Sequence, residues 1–192
     1  ERIETVMPRD SSQWRVSWRT GSPAATRASC LSISNARARC SDRSEFMFFT
    51  STLAPSPVDP AGRTETLVPT VRAAVGDDVR LLVDANSCYT PAKAIEVGQM
   101  LYANGVVHLE EPCPYWKLEW TAEVRGALRV PVAGGEQDYD LEQWRRIIGM
   151  PAVDIVQPDI CYIGGLTRAL RVARWAEKAG LRCVPHSANR SM

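Results

Sequence analysis

Five ionisable side chains recur through the chain at nearly equal steps. Asp84, Glu110, Glu136, Asp159 and His186 are separated by 26, 26, 23 and 27 residues. Each closes a short, mostly apolar run: "RLLVD", "VVHLE", "PVAGGE", "IVQPD" and "RCVPH". Glu is rarely buried, so a single acid at the end of an apolar run reads as a strand reaching solvent. Five in phase are a different observation, because solvated strand ends favour no residue type and could equally be Ser, Lys or Asn. Acids and an imidazole are the side chains of metal binding and proton transfer. Carboxylates that converge repel one another unless a cation stands among them, and a hard, oxygen-seeking divalent ion such as Mg²⁺ meets that need.

The elements that would position these groups are legible between them. "RTETLVPTVRAAVG" has a helical pattern closed by Gly76, and "TPAKAIEVGQMLYANG" opens with Thr90 as N-cap and Pro91 at the first helical position and stops at Asn104–Gly105. "YWKLEWTAEVRGAL", "LEQWRRIIG" (capped by Asp140) and "LTRALRVARWAEKAG" complete the helices. Strands alternating with helices through short turns predict a parallel α/β sheet. The five residues then sit at carboxyl ends of parallel strands, where α/β folds place their sites. In an open doubly wound sheet five successive strand ends lie along a line. In a (β/α)₈ barrel they ring one mouth and converge.

The motifs "VDAN", "LEEP", "GGE", "QPD" and "VPHS", in this order and phase, resemble the enolase superfamily, and within it the mandelate racemase/muconate lactonizing enzyme branch. The resemblance runs from about Asp59 to the C-terminus. It implies a Mg²⁺ site made by Asp84, Glu110 and Glu136, and a His186–Asp159 dyad in which His186 is the general base. The implied reaction is abstraction of the proton α to the carboxylate of a small-molecule acid, through an enediolate stabilised by the metal. Dehydration of a sugar acid is the expected outcome. The alternatives are racemisation or epimerisation of a 2-hydroxy acid, or a non-catalytic remnant that binds metal. Full-length relatives are expected to be homo-oligomeric. The family's lysine strand, often KxK, is not found where "FTSTLAPSPVDP" stands, and the first lysine of the chain is Lys93. The expected fold is a partial (β/α)₈ barrel over residues 57–192, without the N-terminal capping domain and the first and last barrel strands, and hence an incomplete enzyme.

Other residues near the motifs read less sharply. Asn86 either touches substrate or caps a turn. Glu111 is expected to accept a hydrogen bond or face solvent, His108 to pack on a different face from the acids, and "IGG" at 163–165 to make a tight turn rather than a phosphate cradle. Cys88, Cys113 and Cys161 follow strand ends with no base paired to them.

Residues 1–56 differ from the rest. They hold 11 Ser and 8 Arg and no Lys. They read as an irregular leader, either disordered or the product of a GC-rich gene read out of frame, with few contacts to the later strands. The 192 residues carry a net charge of +1, which gives no support for a nucleic-acid or membrane partner. No apolar run approaches the roughly 18 residues of a membrane span. The six cysteines form no CxxC pair and are expected to be reduced, in a cytoplasmic protein.

Overall fold

The computed structural model describes the backbone of Ile3–Val6 (β1), Gln13–Trp18 (β2), Leu31–Ser34 (β3) and Phe46–Thr50 (β4), and all residues from 63 to 187. The continuous part runs Arg63–Val75 (α1), Arg80–Asp84 (β5), Pro91–Ala103 (α2), Val106–Glu110 (β6), Leu118–Ala127 (α3), Val132–Gly134 (β7), Leu141–Gly149 (α4), Ile155–Val156 (β8), Leu166–Lys178 (α5) and Arg182–Cys183 (β9). Strands β4 to β9 form one parallel sheet whose spatial order is the sequence order. A doubly wound sheet would reverse direction at a switch point. Here every helical crossover steps to the next neighbour the same way. The right-handed crossover rule then places all helices on one face, which is barrel topology. Among the described residues the sheet has six strands, where a closed (β/α)₈ barrel has eight.

The helix-facing side of the sheet is the core. Leu67, Val68 and Val71 of α1 and Val97 and Leu101 of α2 pack on Leu81, Val83 and Leu109. Further along, Trp144, Ile147 and Val172 pack on Val132 and Val156. By the strand period of two, Leu82 and Asp84 lie on the opposite, inner face. The predicted caps hold: Pro91 opens α2, and Asp140 accepts from the Glu142 amide at 3.1 Å. Thr90 occupies the N-cap position without a side-chain bond. The glycines at 164 and 165 have φ of 91° and 104° and enter α5 as the expected tight turn.

The irregular leader expected over residues 1–56 needs correction where strands occur. β1, β2 and β3 form an antiparallel sheet, and β4 runs parallel to β5 with Phe46 opposite Arg80 and Thr50 opposite Asp84. A boundary at residue 57 therefore detaches a strand from the barrel sheet. Averaged Ser/Arg composition hid "FMFF", an apolar run with strong β preference. The remainder of the leader lies outside the described residues.

At the amino ends of the strands, two arginines stitch the layers. Arg72 of α1 donates to the carbonyls of Gly76 and Val79 at 2.7 Å each, Asn104 at 2.9 Å and Gly105 at 3.2 Å. It thus ties α1 to the entries of β5 and β6. Arg125 of α3 bonds Asp154 Oδ1 at 2.9 Å, while Asp154 Oδ2 accepts from the Val132 amide at 2.9 Å, linking α3, β7 and β8. Hydrogen bonds from a charged donor are worth more than neutral ones. Arg72→Ala is therefore expected to lower unfolding free energy by about 2–3 kcal/mol in urea titrations. Arg72→Lys should recover only part, since an ammonium cannot reproduce the planar fork. A loss below about 0.5 kcal/mol, the range of ordinary surface substitutions, would show that the clamp carries no load.

Candidate metal and acid–base site

The carboxyl ends of β5 and β6 are held together beyond the regular ladder. Asp84 pairs with Glu110 in register. The parallel pairing then continues into the loops: the Ala85 amide donates to the Glu110 carbonyl at 2.9 Å, Ser87 to Glu111 at 2.8 Å, and Tyr89 to Pro112 at 3.0 Å. Three non-glycine residues adopt positive φ at these ends, Asn86 (46°), Ser87 (61°) and Glu111 (41°). Such conformations cost energy and persist only where surrounding structure enforces them. Here the loop-to-loop hydrogen bonds do so.

The next strand end is positioned from below by a ring. Gly135 has φ of 107°, and a Cβ there would lie 2.3 Å from Trp144 Cη2, so the second glycine of "GGE" is sterically required. The turn is closed by the Asp138 amide donating to the Gly135 carbonyl, and Trp144 Nε1 donates to the Asp138 carbonyl, both at 3.0 Å. Glu136 sits within this turn. Asp159, wholly buried, lies opposite His186 in an isolated parallel bridge. Its Oδ1 accepts from the amides of Cys161 and Tyr162 at 2.8 Å, and its Oδ2 meets His186 Nδ1 at 2.8 Å.

The structure thus brings all five predicted residues to one end of the sheet, within electrostatic reach. Burial first, and then the charges of Glu110 and Glu136, push Asp84 up to about 7, against the bond from the Asn86 amide and the His186 charge. Burial and the charges of Glu136 and Asp84 lift Glu111 to about 8. Glu136 is likewise raised, by burial and by Glu110, with the His186 charge opposing. Glu110 is almost wholly buried, and neither of its carboxylate oxygens has a hydrogen-bond partner. A carboxylate in that position is costly unless a cation compensates it. Buried oxygen donors that repel one another have the chemistry a hard divalent ion would meet.

The convergence is nonetheless looser than the expected three-ligand point. Among the described residues, no three His, Cys, Asp or Glu side chains are gathered as a closed metal cage. Glu136 reaches the imidazole as well as Glu110: its Oε2 lies 3.1 Å from His186 Nε2. With Nδ1 facing Asp159 Oδ2, that second contact joins two acceptors unless a proton lies between them. Nε2 is thus the nitrogen turned to the other acids.

Asn86 is committed to Asp84. Its amide donates to Oδ1 at 2.8 Å and its side-chain Nδ2 to Oδ2 at 3.1 Å, so of the two readings the structure displays the turn cap. Glu111 accepts from Ser87 Oγ at 3.3 Å, as expected, but it is buried rather than solvent-facing and its Oε1 is unpartnered. His108 requires a correction: it shares a face with Glu110, its Nε2 lying 3.8 Å from Glu110 Oε2. The register of β6 slips between the pairs Leu81–Val106 and Val83–Leu109. Two residues apart, His108 and Glu110 share a face by the period of two, and the bulge is what sets both apart from Val106 on the helix-facing side. Asp138 was missed altogether. It is buried in the turn after Glu136, and burial followed by the charge of Asp140 raises it to about 6. The short interval after "GGE" was its only trace in the sequence.

With this geometry in place, residues 24–192 match the enolase C-terminal domain-like family. The chain belongs to that family. The mandelate racemase/muconate lactonizing enzyme resemblance is thereby upheld. Among curated relatives, the D-galactarolactone cycloisomerase of Agrobacterium fabrum is 38% identical over 120 residues, covering 62% of this chain and 32% of the relative. A solved structure from Roseobacter denitrificans, described as a proposed racemase, shares 54% identity over 76% of this chain and 41% of its own, with a TM-score of 0.71. The L-talarate dehydratase of Polaromonas, solved with Mg and L-glucarate, gives 29% identity, 72% and 38% coverage and a TM-score of 0.65. The chain thus spans about a third of the curated relative's length. No helix among the described residues is long and apolar enough to cross a membrane.

The raised carboxyls make a pH prediction with a definite sign. Unfolded, Asp84 and Glu111 titrate near pH 4; folded, they hold their protons to about 7 and about 8. Between these limits the folded state binds more protons than the unfolded one, so stability falls as pH rises. In chelator, the melting temperature should decline steadily from pH 5 to pH 8.5, and Asp84→Asn should flatten part of the decline. A melting temperature that holds or climbs over that window would contradict the burial of these acids.

Proposed function

We propose that this chain supplies the metal site and general base of an acid-sugar lyase that removes the proton α to a carboxylate. The observation that carries the reading is the buried Glu110 carboxylate, without a hydrogen-bond partner, whose charge raises Asp84 and Glu136, the latter 3.1 Å from an imidazole that Asp159 holds. Asp84, Glu110 and Glu136 would hold Mg²⁺. The bound ion would offset charge on the substrate carboxylate as the α-proton departs.

His186 takes that proton at Nε2. Asp159 makes this possible by accepting from Nδ1, which fixes the tautomer and ring plane and favours the protonated imidazole that results. The amides of Cys161 and Tyr162 in turn fix Asp159. The same imidazole then returns its proton to a departing β-hydroxyl, so the outcome is dehydration. Racemisation needs a second base on the opposite face of the substrate, and the lysine strand that supplies one in the family is not in the sequence. Turnover is proposed for a longer protein, since a dry and held site is required.

Two measurements test this. Calorimetric titration of Mg²⁺ into the chain should show one site, lost in Glu110→Gln. In a version extended with the remaining barrel strands and capping segment of a longer relative, aldonic and aldaric acids should be dehydrated in Mg²⁺. His186→Ala should reduce the rate by at least about 10³-fold, in line with the loss of a general base. The 192 residues alone should show negligible turnover. Rapid dehydration by the isolated chain, or an extended enzyme indifferent to His186→Ala, would refute the assignment.

A further inference from the structure

A strand two residues short of a catalytic end would ordinarily put an apolar residue beneath its terminal acid. Here the second residue back from Glu110 is His108, one of the chain's two histidines. Two residues apart, both side chains share one face of β6. His108 is mostly buried, with its side chain 16% exposed, and Nε2 is fully shielded and has no hydrogen-bond partner. Glu110 Oε2, 3.8 Å away, is equally shielded and equally unpartnered. A ring kept for packing alone would need no nitrogen at that place, and a buried polar atom without a partner is disfavoured. Two such atoms, donor-capable and acceptor-only, face each other at less than an ångström beyond hydrogen-bond length.

We infer that His108 is a positioning residue for Glu110: its Nε2–H donates to Oε2 from inside the barrel and leaves Oε1 for a divalent cation. The inference rests on the metal site proposed above and adds to it a role that the motif itself does not contain. A neutral imidazole suffices, because the bond requires only the tautomer with hydrogen on Nε2. The carboxylate is then held in one orientation before the cation arrives. Hydrogen-bonded partners behind a metal ligand commonly contribute 10–100-fold to affinity.

Three forms of the 192-residue chain distinguish the possibilities: unsubstituted, His108→Phe and His108→Gln, each titrated with Mg²⁺ by calorimetry and melted in chelator. Phe keeps the ring and removes the donor, so its Mg²⁺ dissociation constant should rise about 10-fold or more. Gln restores a donor and should stay within about threefold of the unsubstituted chain, whatever the melting temperatures. Equal affinity in the Phe form overturns the inference while leaving the metal site standing. No Mg²⁺ binding by the unsubstituted chain overturns both. Nitrogen-15 NMR of the unsubstituted chain adds a reading independent of any variant. Only two histidines contribute, and the His108 Nε2 signal should be that of a protonated nitrogen; a bare Nε2 rejects the bond.

Discussion

Mutual repulsion among Asp84, Glu110 and Glu136, held at adjacent strand ends away from water, is the constraint on which the rest of the architecture turns. Isolated carboxylates avoid burial or give up their charge. A fold that keeps several in one place must hold them with something stronger than their preference to leave. The loop ladder from Ala85 to Tyr89 and the Trp144 ring under Gly135 serve that end. So do the three positive-φ residues, whose strain is tolerable only because those bonds enforce it.

The two ends of the sheet handle charge in opposite ways. At the amino ends, Arg72 and Arg125 are bonded to carbonyl and carboxylate partners that join helix to strand. At the carboxyl ends, neither carboxylate oxygen of Glu110 has a hydrogen-bond partner, and Glu136 Oε2 lies 3.1 Å from His186 Nε2. Stability is invested at one end and chemistry is left unsatisfied at the other, which is the division parallel barrels use.

Much of this was legible because a βα unit has a nearly fixed length. The steps between Asp84, Glu110, Glu136, Asp159 and His186 reported the repeat and its phase together, and helix caps such as Pro91 and Asp140 fixed where each unit begins. Phase locates the end of a strand, and for a parallel sheet the end of a strand is the site. Neither β4 nor Arg72 had such a signal. Composition averaged over a Ser/Arg-rich stretch conceals a five-residue strand. An arginine that bonds backbone carbonyls also has no sequence partner to betray it, since any residue offers a carbonyl.

His108 shows a different limit. Alternation along a strand assigns faces only while the register is unbroken, and one extra residue inverts every assignment on the far side of it. Counting from Val106, whose side chain belongs to the helix-facing core, sends His108 and Glu110 to that core as well. A carboxylate at Glu110 is implausible there. Counting back from Glu110 sends His108 inward with it, and Val106 is then misplaced. The conflict between the two counts is itself the trace of the bulge, carried by one acid and one valine four residues apart. A strand whose ends demand opposite faces at even spacing must contain a break, and residues between the break and the site belong to the site.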